Sequence, residues 1–225
     1  MYKYELHAHT SECDLAARLS ARDLVRLYKD KGYDGMVITD HYFKTFFEWF
    51  EDELSGYTHE ETVRRWLKGY YTAREEGERI GFTVLPGAEV RVRETINDYL
   101  VYGLTEEFFY TAPRLNELET IDELFPLLPP SALVVHAHPF RDDMTVKTPR
   151  GLFGIEAYNG GTDAFRNGLA RQFAEHYGLA VTSGSDIHGI DKLAKGGILT
   201  ERRICTPEDL VSVLRSGEYE LIESH

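Results

Sequence analysis

The sequence predicts an α/β fold built on parallel strands, and three observations carry that expectation. Seven short strand-like apolar runs occur at residues 3–8, 35–39, 82–86, 99–103, 132–136, 153–157 and 179–183. Helical patterns lie between several of them, and alternating strand and helix units imply parallel strands with helices outside. Histidines and carboxylates follow most of the runs, as they do where the carboxyl ends of parallel strands form one functional face. Seven strands in a chain of 225 residues fit a barrel or a doubly wound sheet.

The elements are justified in order. After the first run, "SARDLVRLYKDKG" offers Ser20 as an N-cap and Gly32 as a stop. The segment "YFKTFFEWFEDEL" places Phe43, Phe46, Phe47 and Phe50 on one helical face. That stripe fits core packing, or a lid in which Trp49 or a Phe walls the leaving group. "THEETVRRWLKGYYTAREEGERIG" reads as one long amphipathic helix ending at Gly81. Residues from about 42 to 80 therefore form a helical insertion, longer than a simple strand-to-helix unit needs. "TIDELFPLL" is a short helix, "GTDAFRNGLARQFAEHYG" runs to Gly178, and "TPEDLVSVLRSG" places Pro207 in its first turn. No repeat or low-complexity linker divides the chain, so residues 1–225 read as one domain.

Composition excludes several classes. Apolar residues make up 42% of the chain, enough for one large core. No stretch approaches the roughly 20 apolar residues of a membrane span, and "MYKYELHAH" has no apolar signal region, so a cytoplasmic protein is expected. Cys13 and Cys205 are the only cysteines and form no CxxC, which argues against a disulfide framework and a thiolate zinc site. The net charge is −13 with no basic run, so extended nucleic acid is an unexpected partner. A small phosphorylated substrate stays possible, because bound cations can supply local positive charge.

The polar residues after the strands carry the chemistry. His7 and His9 stand two residues apart on one face of the first strand, with Asp14 close behind. Taken alone, that pair fits a polar strand end as well as a metal site. Then come Asp40 and His41, Glu89, His136 and His138, Glu156 and Asn159, and finally Asp186 and His188. Six of the nine histidines thus lie at strand ends, and core packing does not explain six gathered at one rim. Two like charges 4 Å apart repel by about 4 kcal/mol at an effective dielectric of 20, so such carboxylates need a cation among them. Imidazole and carboxylate suit Zn²⁺, Mn²⁺ and Fe²⁺, and a site for several metals follows.

The motifs "HAHT" with Asp14, "TDH", "GAE", "AHP" and "SDIH", in that order over residues 7–188, resemble the PHP family of polymerase and histidinol phosphatase domains. The resemblance implies a distorted (β/α)7 barrel holding two or three divalent metals and acting as a phosphoesterase. It implies that His7 and His9 bind one metal with Glu89 and Asp186. Glu89 bridges to a second, which His138 also binds, while Asp14, His41 and His188 hold a third. Asp98 stands where many members carry a histidine near the fourth strand. His136 is extra, and either hydrogen-bonds a ligand or sits as a core histidine; two residues before His138, it is expected on the same face, deeper in the barrel. Asp40 orients His41 or caps a turn. Glu156 and Asn159 match the family stretch "GIEAYNG" and read as residues that line the site. Gly160 and Gly161 fit a tight exit into a helix whose N-terminus can face an anion.

The expected reaction is hydrolysis of a small phosphate ester, such as histidinol phosphate, a nucleotide or a cyclic phosphate, by metal-bound hydroxide. Arg141 follows the His138 motif and either clamps a non-bridging oxygen or pairs with Asp142 or Asp143. His188 or His136 is the candidate leaving-group acid. The alternatives are an amidohydrolase-type C–N hydrolase and a non-catalytic metal-binding module. The first typically uses one Asp after the last strand and often a mid-barrel carboxylated Lys, whereas here Asp186 and His188 stand together and no assigned strand ends in Lys.

Overall fold

The computed structural model describes residues 1–224. Strands β1 (Tyr2–Ala8), β2 (Gly35–Ile38), β4 (Thr83–Pro86), β6 (Tyr99–Tyr102), β7 (Leu133–His136), β8 (Gly154–Asn159) and β9 (Ala180–Gly184) fall on the seven apolar runs. Four short strands escape the apolar pattern: β3 (His41–Tyr42), β5 (Ala88–Val90), β10 (Ile198–Thr200) and β11 (Glu220–Leu221). They form a five-stranded sheet in the order β11-β10-β1-β2-β4 and a six-stranded sheet in the order β3-β5-β6-β7-β8-β9. Two continuities join the sheets. A bridge links Ala8 to Ile187, just past β9, and the chain runs from β4 into β5 across Gly87 alone.

The expectation of uniformly parallel strands is corrected at β6, which pairs antiparallel with both β5 and β7. Only residues 91–98 connect β5 to β6, with no helix among them, and a parallel return needs a crossover of a dozen residues or more. The reversal puts the start of β6, and Asp98 before it, at the end where the parallel strands finish.

Helices α1 (Ala21–Asp30), α2 (Lys44–Trp49), α3 (Glu51–Leu54), α4 (His59–Trp66), α5 (Lys68–Ile80), α6 (Glu106–Thr111), α7 (Ile121–Leu124), α8 (Ala164–Tyr177) and α9 (Pro207–Ser216) surround the sheets. Ser20, Thr58, Asp163 and Thr206 each accept a backbone N–H at a helix start, as short polar side chains do at N-caps. The single long helix expected before Gly81 is instead two, α4 and α5, broken at Leu67. The break lets α5 place Gly69 against the loop after β1. A Cβ there would stand 2.0 Å from Thr10 Oγ1 and 2.5 Å from Asp40 Oδ2, so only glycine allows the contact.

Two buried clusters hold the domain. In one, Tyr4, Leu6, Leu100, Leu133 and Val135 of the strands meet Leu210, Val213 and Leu214 of α9. Each such side chain contributes about 1.5–3 kcal/mol when fully buried. In the other, α1, α2, α4 and α5 pack through Leu24, Tyr28, Phe46, Trp66 and Ala73. The aromatic stripe resolves here: Phe46 is fully buried, Phe47 and Phe50 pack against the same cluster, and Trp49 faces solvent. No helix of the described residues is long and apolar enough to cross a membrane.

Candidate metal centre

The ends of β1, β5, β7 and β9 converge. His7 Nε2 lies 3.4 Å from Glu89 Oε2 and 3.6 Å from Asp186 Oδ1. His9 Nε2 stands 3.4 Å from the same two oxygens. His41 reaches Glu89 Oε2 through Nε2 at 2.9 Å and Asp14 Oδ2 through Nδ1 at 3.2 Å. His138 Nε2 is 3.1 Å from Glu89 Oε1. His188 meets Asp14 at 2.9 Å and Asp186 Oδ1 at 3.3 Å.

Four overlapping donor sets result: His9, Asp14, His41 and His188; His7, His9 and Glu89; His7, His138 and Asp186; and Glu89, Asp98 and His138. Donors about 2.0–2.2 Å from a tetrahedral ion stand roughly 3.3–3.5 Å apart, and several of the separations above fall there. Buried polar atoms without a hydrogen-bond partner concentrate at the same place: His7 Nε2, both ring nitrogens of His9, Asp14 Oδ2, His41 Nδ1 and Glu89 Oε2. Orphaned lone pairs are costly in a protein interior unless they meet a cation or a donor. The donors fit divalent transition metals.

Backbone strain concentrates here too. His138 and Asp186 have φ of +27° and +50°, uncommon for residues with a Cβ and typical of functional sites. The turn at His138 corrects the expectation for His136. Leu133, Val135 and Ala137 belong to the cluster packed on α9, so His136 faces the opposite side and stacks on Tyr99 at 5.0 Å. It lines a separate cavity of 410 Å³ with Lys147 and Arg150. His138 reaches the donors only because the chain turns after the strand.

Supporting contacts aim the ligands. His7 Nδ1 lies 2.8 Å from Glu156 Oε1, which keeps the proton on Nδ1 and turns the Nε2 lone pair toward Glu89 and Asp186. The His138 N–H and Asn159 Nδ2 donate to the other Glu156 oxygen. Glu156 and Asn159 thus orient ligands, while Asn167, unremarked in the sequence, holds Asn159. Asp40 braces the loop by accepting from the N–H and hydroxyl of Thr10, and burial pushes its carboxyl up to about 7. Cys13 is a buried bystander donating to the Trp66 carbonyl. Asp98 joins a donor set, yet both its oxygens accept from Arg91 at 2.7 and 2.9 Å. Arg91 lies over the Phe43 ring, which stacks on His41, so Phe43 and not Phe47 is the aromatic at this site.

Glu5 escaped the sequence reading, although it shares the β1 face of His7 and His9. Its fully buried carboxylate accepts from the N–H groups of Leu6, His7 and Ser185 and from the hydroxyls of Tyr28 and Ser185. Burial raises its pKa despite those bonds. Five donors on one carboxylate lock the end of β1 to the residue before Asp186.

The charges reinforce one another. Burial pushes the His41 and His188 imidazoles down, but contacts with Asp14, Glu89 and Asp186 outweigh it and lift them to about 9 and about 10. Burial, with His41 and His188 alongside, pushes His9 down to about 3. Burial raises Glu89 and Asp186, yet the surrounding histidines hold both well below the usual carboxylate range. A metal ligated by His41 and His188 displaces the protons they hold, so binding there is coupled to pH. At pH 7, Zn²⁺ binding is expected to release protons, and apparent affinity should rise with pH until about 9–10 and then flatten. Calorimetry in buffers of different ionisation enthalpy measures the release; heats independent of buffer contradict it.

A family model described as PHP-associated matches residues 165–219. No curated protein matches the chain. Among solved structures, the chain is similar to a two-domain protein from Bacteroides vulgatus containing a predicted PHP-like metal-dependent phosphoesterase, with 17% identity and a TM-score of 0.69. That match covers 99% of this chain, which spans 64% of the other. PsfC from Pseudomonas syringae aligns over 100% of this chain and 93% of its own, with 17% identity and a TM-score of 0.67. An amidohydrolase from Chromobacterium violaceum, with bound sulfate and no metal, gives 16% identity, a TM-score of 0.56, and coverage of 96% and 97%.

Proposed function

We propose that this chain, a PHP-family protein by its family-model match and the fold it shares with PHP-like structures, hydrolyses a small phosphate ester with the help of two or three divalent ions such as Zn²⁺, Mn²⁺ or Fe²⁺. The observation that carries the reading is Glu89, whose two oxygens reach His7, His9, His41 and His138, so that one carboxylate belongs to two donor sets. We read the chain as one domain with residues 42–80 inserted, and its strands as a distorted seven-stranded barrel closed by the Ala8–Ile187 bridge.

When bound, such ions supply Lewis acidity toward phosphoryl oxygens and activate water at neutral pH. The side chains do the rest. His7, His9, Glu89 and Asp186 would hold one ion, Glu89 with His138 and Asp98 a second, and Asp14, His41 and His188 a third. Glu156 and Glu5 fix the ligands before substrate arrives, which lowers reorganisation during the reaction. Arg141, whose Nη1 stands 3.5 Å from Asp186 Oδ2, binds a non-bridging oxygen and stabilises its growing charge. Arg166, not Arg141, pairs with Asp142. His188 donates the leaving-group proton where the third donor set carries no ion.

The amidohydrolase among the structural neighbours makes C–N hydrolysis the rival reading. Assays of the metal-loaded protein on p-nitrophenyl phosphate, bis(p-nitrophenyl) phosphate and an amide separate them. Turnover of a phosphate ester alone is expected; turnover of the amide alone rejects the proposal.

A further inference from the structure

We propose that Lys192 joins Arg141 in a two-cation clamp beside the metal ligands, which selects a terminal phosphate, the dianion of a monoester, over an internal diester. This rests on the phosphoesterase reading above and concerns the substrate class of the same site.

The Asp186 carboxylate divides the site. Its Oδ1 faces the ligands His7, His9 and His188. Its Oδ2 faces outward, 3.4 Å from Asn159 Nδ2 and 3.5 Å from Arg141 Nη1. Lys192 comes to this outer side from the turn after His188, Ile190–Lys192. Its Nζ and Asp186 Oδ2 stand 3.0 and 3.3 Å from the point a Cβ on Gly161 would occupy. The missing side chain of Gly161 therefore opens the space in which the ammonium sits.

Neither cation is held by a close charge-assisted hydrogen bond. Lys192 makes no ion pair or side-chain hydrogen bond among the described residues, and Arg141 pairs there with Asp186 alone, at a distance too long for a charge-assisted hydrogen bond. Arg91 and Arg166, by contrast, are committed, the first to Asp98 and the second to Asp142 and Asp163. In a chain of net charge −13, an unpaired ammonium and a loosely paired guanidinium on the outer side of a metal ligand mark where an anion enters.

Charge decides which anion. A monoester near neutral pH carries close to two negative charges over three non-bridging oxygens, whereas a diester carries one over two. With some of those oxygens facing the metals, a monoester still presents a charged oxygen to the clamp. A diester presents an esterified, uncharged oxygen and a second organic group, which must displace the Lys192 ammonium or the Arg141 guanidinium.

The test compares wild type, Lys192→Met and Lys192→Arg on p-nitrophenyl phosphate and bis(p-nitrophenyl) phosphate. The Lys192 side chain makes no bond the fold depends on, so the variants should fold and load metal normally. Lys192→Met should lower kcat/KM for the monoester by about 10–100-fold and for the diester by less than about 3-fold, and Lys192→Arg should restore most of the loss. An equal loss on both esters, or a loss on neither, overturns the clamp. Should wild type hydrolyse neither ester, the phosphoesterase reading fails by itself. Calorimetric binding of inorganic phosphate then judges the clamp. Binding at least about tenfold weaker in Lys192→Met upholds it as an anion site, and unchanged binding overturns it.

Discussion

Glu89→Gln is expected to remove at least one metal equivalent and to lower kcat by more than the roughly 100-fold that loss of an outer hydrogen-bond partner costs a metal site. The substitution keeps shape and removes charge. One Glu89 oxygen faces His7, His9 and His41, and the other faces His138. A glutamine offers one neutral oxygen and an NH₂ group that only donates, so it cannot serve two donor sets at once. His59→Ala, on α4 and in none of the donor sets, should change neither metal content nor kcat. Elemental analysis and steady-state kinetics on both variants give the comparison. Identical behaviour of the two would mean that the convergence of strand ends is mistaken for the working site.

Phe46→Ala should destabilise the protein by about 3–5 kcal/mol and leave KM of the folded enzyme unchanged. Phe46 is fully buried, with the Phe47 and Phe50 rings 5.2 Å away and the Arg65 guanidinium 5.8 Å from its centroid. Trp49→Ala, on the exposed side of the same helix, should shift stability by no more than about 0.5 kcal/mol. Denaturant unfolding and a substrate titration separate core from lid. A raised KM for Phe46→Ala at unchanged stability would restore the lid.

Much of this was legible in the chain because strand ends collect distant residues on one face. His7, His9, Glu89 and Asp186 are separated by up to 179 positions, yet each lies at or just past the end of an apolar run, and their convergence needs only the fold class. What the sequence hid depends on local backbone geometry. His136 and His138 alternate as though they shared a face, but the positive φ at His138 breaks the alternation, and nothing in "VVHAHPFR" announces it. The antiparallel β6 was hidden because its apolar run has no direction of its own. The roles of Glu5, Arg91 and Lys192 depend on which elements lie beside them, although Glu5 and Arg91 stand two residues from His7 and Glu89. The break at Leu67 accompanies the close approach of Gly69 to Thr10, a tertiary fit that helical periodicity does not encode.

The central claim is that these overlapping donor sets hold more than one divalent ion. Elemental analysis after chelation, reconstitution with Zn²⁺ or Mn²⁺ and desalting tests it most directly. At least two equivalents per chain should remain bound, and hydrolysis of p-nitrophenyl phosphate should vanish on chelation and return with the metal. A chain that retains less than one equivalent after reconstitution with either ion would contradict it.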